Sequence, residues 1–545
     1  MKKSLNFKGK IILEALLVGL AAGLFVVLFK ISITKIFNFI QTFSKDKLFL
    51  LPFFCAFGGL VSGFLVNKFA PETKGSGIPY VKAALLRLGN LTRIRSIFVK
   101  FFGGIFSIGF GMSLGREGPS VQLGAGAGAL IGKIFKLNGS DKDKLICAGS
   151  ASAIAATFNA PIAGCLFALE ELMQKFNSSV LFPVLIATVS ASYLARKILG
   201  NDTSFLIPKL DENTQISILS CALIGLLAGV LGVLFSKLIH LNNSLFSKIK
   251  INPILKPALA GFIAGGVGIF LPLVMGSGTN SVDILLQGKL CAFLILLIFV
   301  FKFFLTPFCF GSGAVGGIFL PMLMLGAYLG AIIGILLNHF GFETNTLALS
   351  LVSMAAFLSS VARTPITATV MVFEMTNGYD LILYIMLASA ISDIVAQKMN
   401  HKPIYSELIL KQAKDFPFIK KLKENFVKDV YKKEVETLDL EMNLKSALEK
   451  IENINHNFFP VIDENKKVYG GITKIAMEDS LINSNNSNLK IKDIMNTNIL
   501  KIQKDLSLYN LLYKFHFADC KIAPVVDFED KLLGIISRSD IQEKL

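Results

Sequence analysis

Apolar stretches of membrane-spanning length recur from Ile11 to about Lys398, broken by glycine and proline more than by charge. A spanning helix needs about 20 mostly apolar residues, and roughly ten or more segments qualify. From Phe101 to Gly132 the charged residues are Arg116 and Glu117; from Leu145 to Met173 they are Glu170 and Glu171. Beyond about Pro403 the pattern changes. Charge rises, and the apolar runs shorten to strand length with helical stretches between them. The predicted fold class is an all-α polytopic membrane domain followed by a soluble α/β module.

That division changes how the bulk numbers read. The 545 residues are 53% hydrophobic and carry a formal net charge of +17. In a soluble chain such a charge would suggest nucleic acid. Here Lys and Arg flank apolar spans, so the charge reads as cytoplasmic flanks and no nucleic-acid partner is expected. Lys2, Lys3, Lys8 and Lys10 precede the first span, which places the N-terminus in the cytoplasm. Glu14 interrupts an apolar stretch that runs on to Ile31, so this segment reads as a retained span, not a cleaved signal. Seven scattered cysteines and five unclustered histidines predict neither a disulfide framework nor a metal site.

Two internal repeats are visible. Gly75-Ser76-Gly77 recurs 201 residues later as Gly276-Ser277-Gly278. Pro119, Gly124, Gly128 and Gly132 recur at an offset of 202 as Pro321, Gly326, Gly330 and Gly334. Pro161-Ile162 leading to Glu170 recurs at 204 as Pro365-Ile366 leading to Glu374. Self-similar halves are a transporter signature, with the binding site where the halves meet. The glycines four apart predict close helix packing and carry no chemistry. The second repeat, at an offset of 64, relates Val427-Lys428-Asp429-Val430 to Ile491-Lys492-Asp493-Ile494 and Pro460-Val461-Ile462-Asp463 to Pro524-Val525-Val526-Asp527. The domains expected are residues 1–400 in the membrane, 401–426 as connector, and module copies at 427–485 and 486–545.

Three glycine-bearing turns stand before prolines: Gly75-Ser76-Gly77-Ile78-Pro79, Gly115-Arg116-Glu117-Gly118-Pro119 and Gly316-Gly317-Ile318-Phe319-Leu320-Pro321. Proline favours the first helical position, so a helix is expected to begin near Pro119. Free N–H groups and the positive helix end then make an anion seat from backbone alone. Such broken helices are tolerated at membrane depth where they line a cavity. Glu117 stands at one seat, and the repeat register puts Phe319 opposite it. Ionised, Glu117 competes with an anion; protonated, it leaves, which couples proton and anion. The alternative is a carboxylate stabilised by the helix end. Glu170 and Glu171 are adjacent and cannot share a helix face. Because the second half keeps Glu374 alone, Glu170 and Glu374 are expected to share a structural job. Glu171 is then the functional extra, facing a water path.

These motifs, with Phe158-Asn159-Ala160-Pro161 to Glu171 and Lys402-Pro403-Ile404-Tyr405, resemble the CLC family of chloride channels and chloride/proton antiporters over about residues 10 to 410. The resemblance implies an inverted-repeat homodimer with one anion pathway per subunit. It implies that the hydroxyls of Ser76 and Tyr405, the Gly77 turn and the amides of Ile318 and Phe319 hold chloride. It makes Glu117 the external gate and proton carrier and Glu171 the internal proton entry of an antiporter. Serine at position 76 favours chloride over nitrate or fluoride. Tyr80 departs from the family, which commonly has Glu there. The C-terminal pair resembles tandem CBS domains, which often bind ATP, ADP or AMP; Ser537-Arg538-Ser539-Asp540 keeps the ribose-contacting pattern, and Thr473-Lys474-Ile475-Ala476 loses the acid. A structural or dimerising module is the alternative there.

The function expected is secondary-active exchange of chloride for protons, with no enzymatic activity and no required cofactor. The alternatives are a passive chloride channel and, more remotely, a nucleotide sensor with a membrane anchor. The expected location is an inner or plasma membrane with both termini cytoplasmic.

Overall fold

The computed structural model describes residues 2–86, 89–137, 139–174, 178–200, 205, 217–376, 379–412, 422–452, 454, 456–483, 489–517, 520 and 522–543. The chain divides into two compact units, Met1–Gln412 and Ala413–Leu545.

The first unit is helical. Its first half comprises α1 (Lys2–Phe43), α2 (Leu51–Phe69), α3 (Ile78–Leu85), α4 (Ile94–Gly109), α5 (Glu117–Ile134), α6 (Gly139–Phe158), α7 (Pro161–Phe167) and α8 (Ser178–Leu199). The second half repeats that order as α9 (Ile218–Lys248), α10 (Leu255–Phe270), α11 (Thr279–Leu286), α12 (Ala292–Gly311), α13 (Phe319–His339), α14 (Thr346–Ala362), α15 (Pro365–Thr376) and α16 (Ile382–Lys398). α17 (Ile404–Gln412) follows and packs against α3. Residues 401–412, expected as connector, therefore belong to the first unit: α17 buries Ile404, Tyr405 and Leu408.

The glycine rows do what their spacing predicts. A side chain at Gly124 or Gly128 of α5 would strike the backbone of α6 at Gly149 or Leu145. Gly326 and Gly330 of α13 face Ser353, Leu349 and Ser350 of α14 in the same way. Leu13, Leu24 and Leu28 on α1, Phe53 and Phe57 on α2, and Leu226 and Leu234 on α9 are exposed. A girdle of large apolar side chains suits lipid, whose backbone-free interior only helices or closed barrels can cross. Among the described residues six helices are long and apolar enough to span, fewer than the roughly ten apolar segments counted along the sequence. The difference has a physical reason. α3, α7, α11 and α15 are partial helices. α10 and α14 are apolar but have only 16 and 17 residues, and α5 and α6 are enclosed by protein, so small and hydroxyl residues replace the bulky apolar ones that lipid would require.

In the second unit, β1 (Leu438–Asp439) pairs parallel with β2 (Phe458–Ile462), which pairs antiparallel with β3 (Val468–Thr473). β4 (Ile502–Gln503), β5 (Ile522–Val526) and β6 (Leu532–Ser537) repeat this pairing. The offset of 64 holds to the residue: Pro460 pairs with Gly471 and Pro524 with Ile535, and the register shifts after Val461 and after Val525. The copies meet through Val468 N to Asp530 O and Leu532 N to Lys466 O, both 2.9 Å. In the first copy a helix at Leu444–Ile451 buries Leu444, Ala447 and Ile451 against Phe459, Val461 and Ile472. The i, i+3, i+7 spacing of those three residues makes one apolar stripe.

Candidate anion and proton site

Each repeat holds its glycine turn with a buried lysine. Lys100 on α4 donates to Thr73 O (2.8 Å) and Gly75 O (2.7 Å). Lys302 on α12, at the repeat offset, donates to Val274 O (3.0 Å) and Gly276 O (2.9 Å). Both lysines are fully buried. Sequence reading passed over them because a lone lysine in an apolar run looks like an interruption. Their recurrence 202 residues apart was the available signal.

The three turns seen in the sequence converge. Gly316 N donates to Gly75 O at 3.1 Å. Gly115 N donates to Gly317 O at 2.7 Å, and Gly317 N returns to Gly115 O at 2.6 Å. Gly77 has φ +103°, a conformation that glycine adopts at no steric cost. Gly118 lies so close to Ser76 that a methyl group there would strike the Ser76 hydroxyl and backbone. Ser76, Glu117, Ile318 and Phe319 are thus brought to one place, all buried. The helix expected near Pro119 starts two residues earlier, at Glu117, with Arg116 as N-cap. Pro119 still fits, because first-turn N–H groups have no intrahelical acceptor.

Glu117 bridges the halves. Its Oε2 accepts from Leu320 N in the first turn of α13 at 3.3 Å, so a carboxylate occupies that helix end. Its Oε1 lies 3.8 Å from Arg116 Nε, beyond hydrogen-bond length. Phe319 packs against Phe158 and Phe167, with ring centroids 5.8 and 6.1 Å apart. Ser76 Oγ and Tyr405 OH are buried and have no hydrogen-bond partner among the described residues. Buried polar groups are ordinarily satisfied, so these two hydroxyls, Ser76 against Gly118 at the start of α5 and Tyr405 within electrostatic reach of Glu117, are donors suited to a bare anion. Tyr405 stands in the first turn of α17.

On the Arg116 side lies a cavity of about 480 Å³, lined by Lys30, Arg116, Phe158, Ser277, Thr279 and Leu320 among others. Lys30 was not singled out in the sequence.

Glu170 and Glu374 do share a job. Glu374 accepts from Ile162 N (3.1 Å) and Ala163 N (2.7 Å) at the start of α7. Glu170 accepts from Ile366 N (3.2 Å), Thr367 N (2.7 Å) and Thr367 Oγ1 (2.6 Å) at the start of α15. Each half caps a helix of the other. Glu170 and Glu171 lie on a π turn, Ala168–Met173, that continues α7 and separates their directions. Glu171, expected to face a water path, is 1% exposed and pairs with Lys82 Nζ at 2.5 Å. A countercharge on α3 meets the acid inside the protein, which the sequence pattern did not disclose. Tyr80, standing where the family commonly has an acid, accepts from Asn90 N at 3.1 Å and donates to Asn90 O at 3.2 Å.

In the second unit, Asp540 Oδ2 accepts from Ser537 N (2.7 Å) and Ser537 Oγ (2.6 Å), and Oδ1 meets Lys432 at 3.1 Å. Thr473 Oγ1 accepts from Ala476 N at 3.2 Å. The cavity beside Ser537 measures about 170 Å³ and includes Glu434, Glu436 and Asp540. Small-molecule sites usually run to about 300–1,000 Å³. The same lining carries Lys432 and His456 beside the acids.

Comparison with known proteins agrees with the geometry. The family described as voltage gated chloride channel matches residues 58–397, and the CBS domain matches 427–476 and 491–545. An H(+)/Cl(-) exchange transporter ClcA from Vibrio cholerae is 36% identical over 420 residues, covering 74% of this chain and 89% of that protein. A ClcA from Yersinia pestis is 36% identical over 357 residues, covering 64% of this chain and 74% of its own. The crystal structure of a slow cyanobacterial Cl-/H+ antiporter aligns with a TM-score of 0.68 and 28% identity, over 74% of this chain and 98% of that one. A eukaryotic CLC transporter aligns with a TM-score of 0.68 at 20% identity over 98% of both chains, a likeness of fold.

Proposed function

The chain belongs to the voltage gated chloride channel family, and from that premise we infer that it exchanges chloride for protons across a membrane. The observation that supports the mechanism is the Glu117 carboxylate on Leu320 N–H in the first turn of α13, together with the buried hydroxyls of Ser76 and Tyr405, unpartnered among the described residues. Chloride takes the seat formed by Ser76 Oγ, Tyr405 OH, the Gly77 turn and the amides of Ile318 and Phe319. Helix ends supply partial positive charge, and the hydroxyls supply donors that replace lost hydration. Glu117 and chloride are competing anions for the α13 end. When Glu117 takes a proton it loses its hold on Leu320 N–H and admits chloride. When chloride leaves, the carboxylate returns and its proton departs. Glu171 is the second proton station. A homodimer with one pathway per subunit, cytoplasmic termini and an inner or plasma membrane belong to the same reading. No step is assigned to a nucleotide.

Paired flux measurements on purified protein in liposomes test this. An imposed chloride gradient should drive protons uphill in the opposite direction, and E171Q should abolish the proton movement while chloride still passes. Chloride flux with no proton movement in the wild type would establish the passive-channel alternative instead.

A further inference from the structure

We propose that Lys82 is a positioning residue of the exchange reaction, balancing Glu171 and tying that carboxylate to the helix that carries Tyr405. The inference rests on the exchange reading above.

Lys82 is 2% exposed on α3. Its Nζ donates to Glu171 Oε1 at 2.5 Å and to Ser406 Oγ at 2.8 Å. One ammonium therefore joins the π turn after α7 to the first turn of α17, at the residue next to Tyr405. The groups that face the pair are few. Glu170 shares the turn but is directed onto α15. Tyr405 on α17 lies within electrostatic reach of Glu171 and also of Glu117.

The charge arithmetic gives the link its consequence. Ionised Glu171 and protonated Lys82 form a neutral pair. Protonation of Glu171 transfers a proton from hydronium to a carboxylate oxygen, the hydronium O–H bond breaking and water leaving, while the Lys82 ammonium is unchanged. The pair then carries +1, held one residue from Tyr405. In the low-dielectric interior a new buried charge acts strongly over such distances and draws an anion toward the Tyr405 hydroxyl. Proton arrival at Glu171 and anion occupancy at Tyr405 thereby favour each other. The repeat supports a specialised role as well. The counterpart of Lys82 at the 201-residue offset is Asp283, so this lysine is no part of the duplicated scaffold.

The test uses the full chain in liposomes, with chloride and proton fluxes measured over a pH series on each side. K82M should lower the ratio of protons to chloride on the order of tenfold, a typical coupling strength between sites. It should also flatten the pH profile on the Glu171 side. K82R should restore much of both. Proton flux in the double variant K82M/E171Q should equal that in E171Q, because Lys82 acts through Glu171. If K82M fails to accumulate, S406A carries the test. It cuts only the tie to α17 and should shift the ratio the same way. A wild-type ratio and pH profile in K82M, or in S406A where K82M cannot be made, overturns the proposal. A wild type that moves no protons sinks the exchange reading itself; a coupled wild type indifferent to Lys82 sinks only this inference.

Discussion

The two halves of the membrane unit are copies in their scaffold and differ in their chemistry. Lys100 and Lys302 brace the same turn in each. Glu170 and Glu374 exchange the same caps. Yet Glu117 faces Phe319 in register, Glu171 faces Met375, and Lys82 faces Asp283. Duplication supplied two helix ends at matching positions of the repeat, the starts of α5 and α13. Only the half with Glu117 holds an acid that can compete for the seat, so the reacting groups are those that break the symmetry. Residues that obey the repeat build the fold, and residues that violate it are the first candidates for function.

The sharpest way to break that comparison is at Glu117. E117Q should lower proton flux by about 100-fold or more, the usual weight of a proton-transferring side chain, while chloride still flows. Liposome fluxes read the result; coupled exchange in E117Q would deny the residue its role. The scaffold pairs should behave the opposite way, with equal effects in both halves. K100M and K302M each strip the shared donor from two buried carbonyls and should each destabilise the protein by about 3 kcal/mol. Thermal unfolding in detergent measures this, and a large inequality between them would show that the halves are not mechanically equivalent. E170Q and E374Q weaken charge-assisted caps and should each cost about 1 to 2 kcal/mol without changing the proton-to-chloride ratio. An uncoupled E170Q would move Glu170 into the chemistry.

The smallest effect lies in the second unit. Glu441 sits between Lys490 and Lys492 at 2.6 Å from each, and they hold its carboxyl down at about 2. An unfolded Glu titrates near about 4.3. The folded value is depressed, so its contribution is present above that pH and is lost as pH falls toward about 2. The side chains are exposed and screened, so E441Q should barely move the acid unfolding of this unit, and salt should erase the difference.

Much of the fold was legible because it is written twice. Gly75 and Gly276, Pro119 and Pro321, and Pro460 and Pro524 announced both duplications, and the structure keeps their registers. Glu170 and Glu374 were also readable, since an acid kept in both copies points to a shared structural job. What escaped was pairing across distance. Nothing local in Val81-Lys82-Ala83 says that its ammonium meets Glu171, 89 residues on. Lys100 was equally silent, because its partners are carbonyls, which carry no sequence signal. Residues 401–412 were misread as connector because α17 owes its burial to α3, a contact no short window contains.

The crossed caps have a consequence for how the protein is made. The start of α7 depends on Glu374, more than 200 residues downstream. While the ribosome is still feeding the second half through the translocon, the first half sits in the bilayer with amide hydrogens waiting for an acceptor not yet synthesised. The early half is therefore completed by the late one, since the acceptor for these amides lies in α15.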